Sequence, residues 1–266
     1  MGNSLIKLLR ASSTTNIEDL PLEMIEKIFN YLEYQDLISV RAASSKLRSA
    51  VTPQLLAYKL QVAVASSSQL NDFSEDVLDA AAEQINLGPL ATETMTKLAA
   101  MIESSLSNCS RAAVVRCASS LAASGHLTSV GWMLLRDMEL PSIQHIPALA
   151  RVVRGTVYLR NVTGDLANLL ANLSYHVWLY DGELDAEATR GLVLGLQQGV
   201  AALVLGYGAR VHLHTLLDYD GRGRCGVVGC WDDVADFYRE VVREWATRVD
   251  WEFVEYWAGE IQIYKR

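Results

Sequence analysis

Large apolar residues near the amino terminus recur at helical spacing. One face of this segment carries them at i, i+3, i+4 and i+7: Ile25, Ile28, Phe29 and Leu32. The preceding Leu20-Pro21 step indicates where the helix begins, because proline is tolerated at the first helical position. Glu23 follows in the first turn, where a negative charge complements the helix dipole. The pattern predicts an amphipathic helix that begins at Pro21.

Two further short helices follow. Asp36 is a predicted N-cap for a helix through Leu37, Ile38 and Val40. Ser44 or Ser45 caps a third helix, in which Leu47 and Val51 face inward and Lys46 and Arg48 face outward. Pro53 marks the end of that helix. Residues 17–53 therefore read as a compact helical triplet that follows a flexible arm at residues 1–16.

Residues 54–125 are predicted to be helical. Ser74 caps one helix, which stops at Asn86 and Gly88. Thr92 starts the next, whose inner face carries Met95, Leu98, Met101, Ile102 and Leu106. An alanine-rich helix from Arg111 to Ser124 then ends at Gly125, a residue suited to a left-handed C′ position.

The hydrophobic period changes after residue 125. Short apolar strands are followed by turns and helical stretches, with spacings of 24, 20 and 26 residues between Leu135, Leu159, Leu179 and Leu205. Strand–helix units of about 20–29 residues are typical of leucine-rich repeats. Such units bury their apolar faces by stacking. The spacing is irregular and only Asn161 matches the asparagine of that repeat, so an ordinary α/β sheet with parallel strands stays an alternative.

The last part of the chain reads differently. His212 to Cys230 is rich in Gly and Asp and is predicted to be a long loop. Asp232 or Asp233 caps a helix, and residues 251–264 alternate around a tight turn as a closing β-hairpin. The predicted fold class is α+β, with a repeat-like region at residues 126–230 and a helix-and-hairpin cap at residues 231–266.

Composition narrows the class of protein. The 266 residues carry a formal net charge of −8, and 50% are hydrophobic, which excludes wholesale disorder and argues against a nucleic-acid binder. No run is apolar enough to span a bilayer, and four cysteines are too few for a disulfide scaffold. Ile6 stands where a myristoylation motif on Gly2 requires Ser or Thr. We expect no membrane insertion and a cytoplasmic location, with a nuclear one open.

Candidate chemistry is sparse. His212, His214, Cys225 and Cys230 are residue types that suit tetrahedral zinc, although a spacing of four residues between the cysteines is loose. A zinc-binding domain or enzyme is therefore a minor alternative. The chain contains no Gly-x-Ser-x-Gly, phosphate-loop lysine or His-Glu-x-x-His motif. We expect neither catalysis nor a cofactor.

The helical triplet resembles the F-box, the module through which substrate receptors join Skp–cullin–RING ubiquitin ligases. The resemblance rests on Leu20-Pro21-x-Glu23, on the Ile28-Phe29-x-x-Leu32 stripe and on Asp36-Leu37 at the second helix. Ala42-Ala43 and Leu47 depart from it, because the family usually shows a Val-Cys pair and then a Trp. The alternative is a purely structural role, in which the triplet is a helical cap packed on the repeats.

The resemblance implies an interaction protein, not an enzyme. It implies a Skp-type adaptor as partner, bound through Leu20, Pro21, Glu23, Ile25, Ile28, Phe29, Leu32, Leu37 and Val40. Through the adaptor the chain would join a cullin–RING ligase, and the repeats would hold an unidentified protein substrate. Tyr180 and Tyr207, which follow repeat strands, are candidate substrate contacts. A leucine-rich-repeat scaffold without a ubiquitin role remains the alternative.

Overall fold

The computed structural model describes residues 16–88, 90–170, 172–173 and 177. Beyond these it describes the strand backbone at 178–180, 182–183, 202–205, 209–210, 226–230, 253–257 and 260–264. The chain divides into two compact units, residues 1–101 and residues 102–266. The predicted arm at residues 1–16 lies outside the described part, apart from Asn16.

The amino-terminal unit is helical. After a short 3-10 turn at Ile17–Asp19, its helices are α1 (Leu22–Phe29), α2 (Tyr34–Ala43), α3 (Ser45–Ala50), α4 (Pro53–Ser66) and α5 (Glu75–Leu87). The predicted caps are confirmed at two places, because Ser44 Oγ accepts from the Leu47 amide and Ser74 Oγ from the Val77 amide. Gly88, at φ +81°, ends α5 in the left-handed region.

Two predicted helix boundaries are wrong by a few residues. α2 begins at Tyr34 with Glu33 as N-cap, so Asp36 lies in the first turn and not at the cap. Pro53 begins α4 instead of ending α3, and Thr52 Oγ1 caps α4 by accepting from the Leu55 amide. A proline at N1 needs no amide partner, so the same residue type can mark either event in a sequence.

Four further helices follow along the chain. Three of them are α6 (Thr92–Leu106), in which the division between the two units falls, α7 (Ala112–Ala123) and α8 (Ile146–Val152). The short α9 spans Leu166–Leu170. The predicted inner face of α6 is buried throughout, and Gly125 has the predicted left-handed backbone at φ +78°.

The carboxy-terminal unit contains a seven-stranded sheet with the order β1-β2-β3-β5-β7-β9-β8. Its strands are β1 (Met133–Leu140), β2 (Val157–Gly164), β3 (Val177–Tyr180), β5 (Ala202–Leu205), β7 (Gly226–Cys230), β8 (Phe253–Trp257) and β9 (Glu260–Tyr264). Two short strands, β4 (Gly182–Glu183) and β6 (Ala209–Arg210), pair separately. Strands β1, β2, β3, β5 and β7 pair in parallel, and β9 and β8 complete the sheet in antiparallel pairing. With the helical amino-terminal unit, the fold class is α+β overall.

The register of the parallel strands repeats. Leu135 pairs with Leu159, Leu159 with Leu179, and Leu179 with Leu205, which confirms the predicted alignment of these four leucines. Cys109 forms a further parallel β-bridge to Leu135. The sheet pairing therefore begins one segment before β1, which the sequence pattern did not predict. Asp137 and Asn161, each two residues beyond its leucine, share a φ of +48°. Neighbouring segments therefore repeat both their pairing and a backbone irregularity.

The helices pack on one face of the first strands. Met133 and Leu135 of β1 and Val157 and Leu159 of β2 are buried, and they alternate with more exposed residues. The apolar faces of α7, α8 and α9 are buried as well, including Leu121, Ile146, Leu149, Leu169 and Leu170. This is the core of the carboxy-terminal unit as far as the structure describes it.

The end of the sheet differs from prediction at one strand. Gly226–Cys230, expected to be loop, form β7, which pairs with β5 on one side and β9 on the other. The sequence pattern did not predict this strand, because glycines weaken the strand signal and only Val227 and Val228 carry large apolar side chains there. The closing hairpin is confirmed, since β8 and β9 pair in antiparallel fashion and Trp257 lies opposite Glu260. The helix predicted after Asp232 lies outside the described residues.

No helix in the described part of the chain has both the length and the apolar character to cross a bilayer.

Candidate functional site

Helix α1 presents two apolar stripes side by side. One contains Ile25 and Phe29, which are fully buried against the rest of the unit. The other consists of Pro21, Met24, Ile28 and Tyr31, spaced by three or four residues, and we call it the α1 stripe. Met24 is 50% exposed and Tyr31 is 87% exposed, whereas Ile28 is half-buried. The helix thus leaves one apolar stripe accessible to a partner.

The nine residues named for adaptor binding fall into two groups. Pro21 and Glu23 are exposed, and Leu20, Ile28 and Val40 are half-buried, so all five are accessible. The remaining four are core side chains: Ile25, Phe29, Leu32 and Leu37. A buried side chain cannot contact a partner unless the helices move. These four therefore support the surface from beneath in this conformation.

Met24 and Tyr31 were missed in the sequence as candidate contacts. Their signal was present, because Met24 lies four residues before Ile28 and Tyr31 lies three residues after it. The three departures from the F-box pattern are placed differently from one another. Ala42 and Ala43 are exposed at the end of α2, whereas Leu47 is buried in α3.

Lysine side chains tie the start and end of α1 to later helices. Lys46 Nζ, from α3, donates to the carbonyl oxygens of Glu18 and Leu20, just before α1. Lys59 Nζ, from α4, donates to the Asn30 carbonyl oxygen at 2.7 Å, just after it. Each lysine satisfies a backbone acceptor that a loop or helix end leaves open. The contacts hold α1 at both ends while its stripe stays free.

One ion pair joins α2 to α5. Arg41 donates through Nη1 to Glu83 Oε2 at 2.7 Å and through Nη2 to Glu83 Oε1 at 2.9 Å. These hydrogen bonds lower the pKa of the Glu83 carboxyl and raise the pKa of Arg41. The two side chains are 46% and 29% exposed, so water weakens the pair. A planar two-bond contact of this kind fixes α2 relative to α5 more than it stabilises the unit.

The face of β1 and β2 opposite their buried side carries two rows of side chains. Leu134 and Tyr158 are register partners and both are half-buried. Arg136 and Arg160 are the next pair along the strands. Trp132, 49% exposed, meets the Tyr158 ring edge to face, with the ring centroids 6.1 Å apart. We call these five residues the outer sheet face.

The two tyrosines proposed for substrate contact differ in placement. Tyr180 ends β3, where its register partner is Arg160. Tyr207 lies outside the described residues. So do His212, His214 and Cys225 of the possible zinc set, and only the backbone of Cys230 is described, in β7. Among the residues that the structure describes, no group of three or more histidine, cysteine and acidic side chains could hold a metal ion.

A cleft of about 480 Å³ opens beside the carboxyl end of β1. Its walls include Ser110 and Arg116 near the start of α7 and Asp137 and Glu139 from β1. Charges of both signs line the cleft, so it has no single electrostatic preference.

Comparison with known protein families gives a match to the segment that carries the α1 stripe. Residues 17–56 match the F-box domain, and the match contains the whole α1 stripe. The amino-terminal part of the chain therefore contains an F-box domain. F-box domains bind Skp-type adaptors of cullin–RING ligases, and F-box proteins are in general non-catalytic receptors. Searches among curated proteins and among solved structures find no match to this chain.

Proposed function

We propose that the chain is the substrate-recognition subunit of a Skp–cullin–F-box ubiquitin ligase. The observation that carries the proposal is the F-box match at residues 17–56 together with an accessible apolar stripe on its first helix. In this role the F-box docks on the adaptor, and the strand–helix region from residue 126 onward binds a protein substrate. The chain itself performs no chemistry.

The adaptor contact rests on the α1 stripe. Met24, Ile28 and Tyr31 offer apolar area at the surface, and the charged residues Glu23 and Lys27 lie beside it. An apolar centre with a polar rim is the usual composition of a protein interface. Leu20, Pro21, Glu23 and Val40 extend the contact, while Ile25, Phe29, Leu32 and Leu37 keep the helices in place. Exposed Ala42 and Ala43 contribute little area.

The substrate role rests on the regularity of the parallel strands. Successive strands pair in parallel with equivalent leucines in register, and helices α8 and α9 follow the first two of them. This arrangement supports the proposal of a leucine-rich-repeat-like stack, whose strands present one continuous surface to a partner. Tyr180, in register with Arg160, belongs to that surface in the proposal, and Tyr207 extends it.

The mechanism is an increase in effective concentration. A substrate held by the sheet region and an adaptor held by the F-box belong to one assembly, so ubiquitin transfer to a substrate lysine becomes a local event. Tethering of this kind requires no catalytic residue in the receptor. The proposed location is cytoplasmic, with a nuclear one open.

The test is co-purification of the full chain with a Skp-type adaptor. Met24→Asp places a charge in the α1 stripe and should abolish adaptor binding without unfolding the unit, because Met24 is half exposed. Leu87→Asp is the matched control, since Leu87 is 58% exposed and lies outside the F-box match. Binding by both variants, or by neither, would contradict the proposed docking surface.

A further inference from the structure

The basic residues of this chain change in kind along the sequence. Residues 1–97 contain five lysines and three arginines, whereas residues 98–264 contain thirteen arginines and no lysine. We call residues 98–264 the lysine-free stretch. Lysine is among the commonest residues of soluble domains. Because both parts belong to one chain, a general preference for arginine throughout the sequence does not account for the change.

Arginine and lysine carry the same charge but differ in the chemistry of ubiquitin transfer. A lysine ε-amine attacks the thioester that joins ubiquitin to a conjugating enzyme. An isopeptide bond forms, the carbon–sulfur bond breaks, and the enzyme's cysteine leaves as a thiol with the proton that the amine gives up. An arginine guanidinium stays protonated and offers no free amine. Arginine in place of lysine therefore keeps the charge and removes the ubiquitin acceptor.

Two arginines of the lysine-free stretch lie where a lysine would be an accessible acceptor. Arg151, in the last turn of α8, and Arg154, two residues after that helix, are both exposed. Exchange of one residue for another at an exposed position usually changes the free energy of unfolding very little. Folding stability alone therefore does not explain why lysine is excluded from such positions.

Three lysines of the helical unit are engaged by backbone acceptors. Lys46 and Lys59 donate to carbonyl oxygens just before and just after α1, and Lys97 Nζ donates to the Ala65 carbonyl oxygen at 2.9 Å. An amine held in this way must leave its acceptor before it can attack a thioester. These lysines are therefore less available for modification than a freely solvated lysine.

Lys27 differs from the other lysines of the helical unit. It is exposed on α1, three residues after Met24 and four residues before Tyr31, so it lies beside the α1 stripe. An adaptor docked on that stripe covers Lys27 in the proposed function. Lys7 and Lys265 lie outside the described residues. In the assembled ligase, the described part of the chain therefore offers few lysines to a conjugating enzyme.

Tethering does not by itself distinguish a substrate from its receptor. The high effective concentration of conjugating enzyme in one assembly applies to every lysine within its reach. The receptor is present in each round of transfer, whereas substrates exchange. A receptor with accessible lysines near its bound substrate would therefore compete with that substrate for ubiquitin.

We propose that the lysine-free stretch keeps the substrate-binding region free of ubiquitin acceptors, so that the ligase spares its receptor and transfers ubiquitin to the bound substrate. This inference rests on the proposed function. It adds a specificity that depends on the kind of basic residue at the surface of the receptor and not on a binding contact.

The experiment reconstitutes ubiquitin transfer with the full chain, a Skp-type adaptor, a cullin–RING ligase, activating and conjugating enzymes, ubiquitin and ATP. Mass spectrometry after trypsin digestion locates the diglycine remnant on each modified lysine. Arg151→Lys and Arg154→Lys should each acquire a remnant at the new lysine. Ubiquitin on the chain should rise about threefold or more over wild type, because tethering makes transfer to that lysine local. Arg151→Gln is the matched control and should stay at the wild-type level.

The absence of a remnant at both new lysines, in an assembly that retains adaptor and forms free ubiquitin chains, overturns the inference. So does a wild-type chain that is modified as heavily as the lysine variants, or a rise in Arg151→Gln equal to that in Arg151→Lys. Co-purification with adaptor is measured on the same preparations. A chain that binds no adaptor contradicts the proposed function, so the two failures are distinguishable.

Discussion

The two units of this chain illustrate two ways in which a sequence specifies structure. In the helical unit, the residues that define α1 lie within a dozen positions of one another, and the F-box match covers one continuous segment, residues 17–56. In the sheet, equivalent residues are separated by 20 to 26 positions and meet only through strand pairing. The helical unit is therefore specified by residues close together in the sequence, whereas the sheet is specified by contacts between segments that are distant in the sequence.

The difference extends to the functional surfaces. The α1 stripe depends on the residues of one short segment, because the neighbouring apolar stripe of the same helix is buried and leaves this one at the surface. The outer sheet face exists only when β1 and β2 pair in one register, because a slip of one residue between them would turn the side chains of the slipped strand to the other face. We expect the contributions of local helix packing and of contacts between strand segments to differ in size, and the largest effect in the helical core.

The interior of the helical unit should show the largest effect. Phe29→Ala removes a fully buried ring from α1 and should lower the free energy of unfolding by about 3–5 kcal/mol. Urea denaturation of the full chain, followed by circular dichroism, measures the loss. Tyr31→Ala is the control two residues away, and its ring is so exposed that the change should stay within about 0.5 kcal/mol. Similar losses in both variants would show that α1 is not packed as described.

The next effect tests how closely successive segments of the sheet region approach. A Cβ at Gly155 would lie 2.1 Å from the Gly131 carbonyl oxygen, so Gly155→Ala forces the backbone apart. We expect a loss of about 1–3 kcal/mol in the same denaturation assay. Gly131→Ala is the matched control, because a Cβ there has no neighbour within 4 Å. If Gly155→Ala is as stable as Gly131→Ala, the two segments do not pack this closely.

A smaller effect tests the repeated backbone irregularity. Asn161 has φ +48°, a conformation that alanine adopts at a cost of roughly 1 kcal/mol and glycine adopts freely. Asn161→Ala should therefore lower the melting temperature, while Asn161→Gly should leave it closer to wild type. The hydrogen bond to Asp137 is lost in both variants, so their difference isolates the backbone. Equal melting temperatures would mean that the left-handed conformation is absent.

The smallest effect concerns the ion pair between α2 and α5. Glu83→Gln should cost less than about 1 kcal/mol, because both partners are partly exposed to water. Since the folded-state pKa of Glu83 lies below its ordinary value of 4.5, the stabilisation is present above that pH. It is lost as the pH falls through the folded-state pKa. Denaturation at pH 7 and pH 3 should show a larger wild-type advantage over Glu83→Gln at pH 7 than at pH 3.

The sequence predicted local features well and boundaries less well. The Ser44 and Ser74 caps and the glycine stop at residue 88 follow from side-chain chemistry within three residues, and the structure contains all of them. Pro53 was assigned to the end of α3 although it begins α4, and the N-cap of α2 was predicted at Asp36, three residues after its actual position at Glu33. Proline and aspartate suit several positions near a helix end, so the sequence alone did not separate these roles. The adaptor-binding role of individual residues stays a prediction.

The sheet was predictable where large apolar residues mark the strands. Leucine spacing predicted the register of β1, β2, β3 and β5, but Cys109 and β7 were missed. A single bridging residue leaves no run of apolar residues to detect, and glycines weaken the strand signal in β7. The pairing of Arg136 with Arg160 was also not predicted, because two residues 24 positions apart become neighbours only after the strands have paired.

The most direct test of the adaptor-binding claim is hydrogen–deuterium exchange of the full chain with and without a Skp-type adaptor. The account predicts that adaptor slows exchange in peptides covering residues 17–43, around the α1 stripe, and leaves β1 and β2 unchanged. Met24→Asp should remove the protection, and Leu87→Asp should retain it. Protection confined to the sheet strands, or no protection at residues 17–43 when adaptor is bound, would contradict the assignment of the α1 stripe as the docking surface.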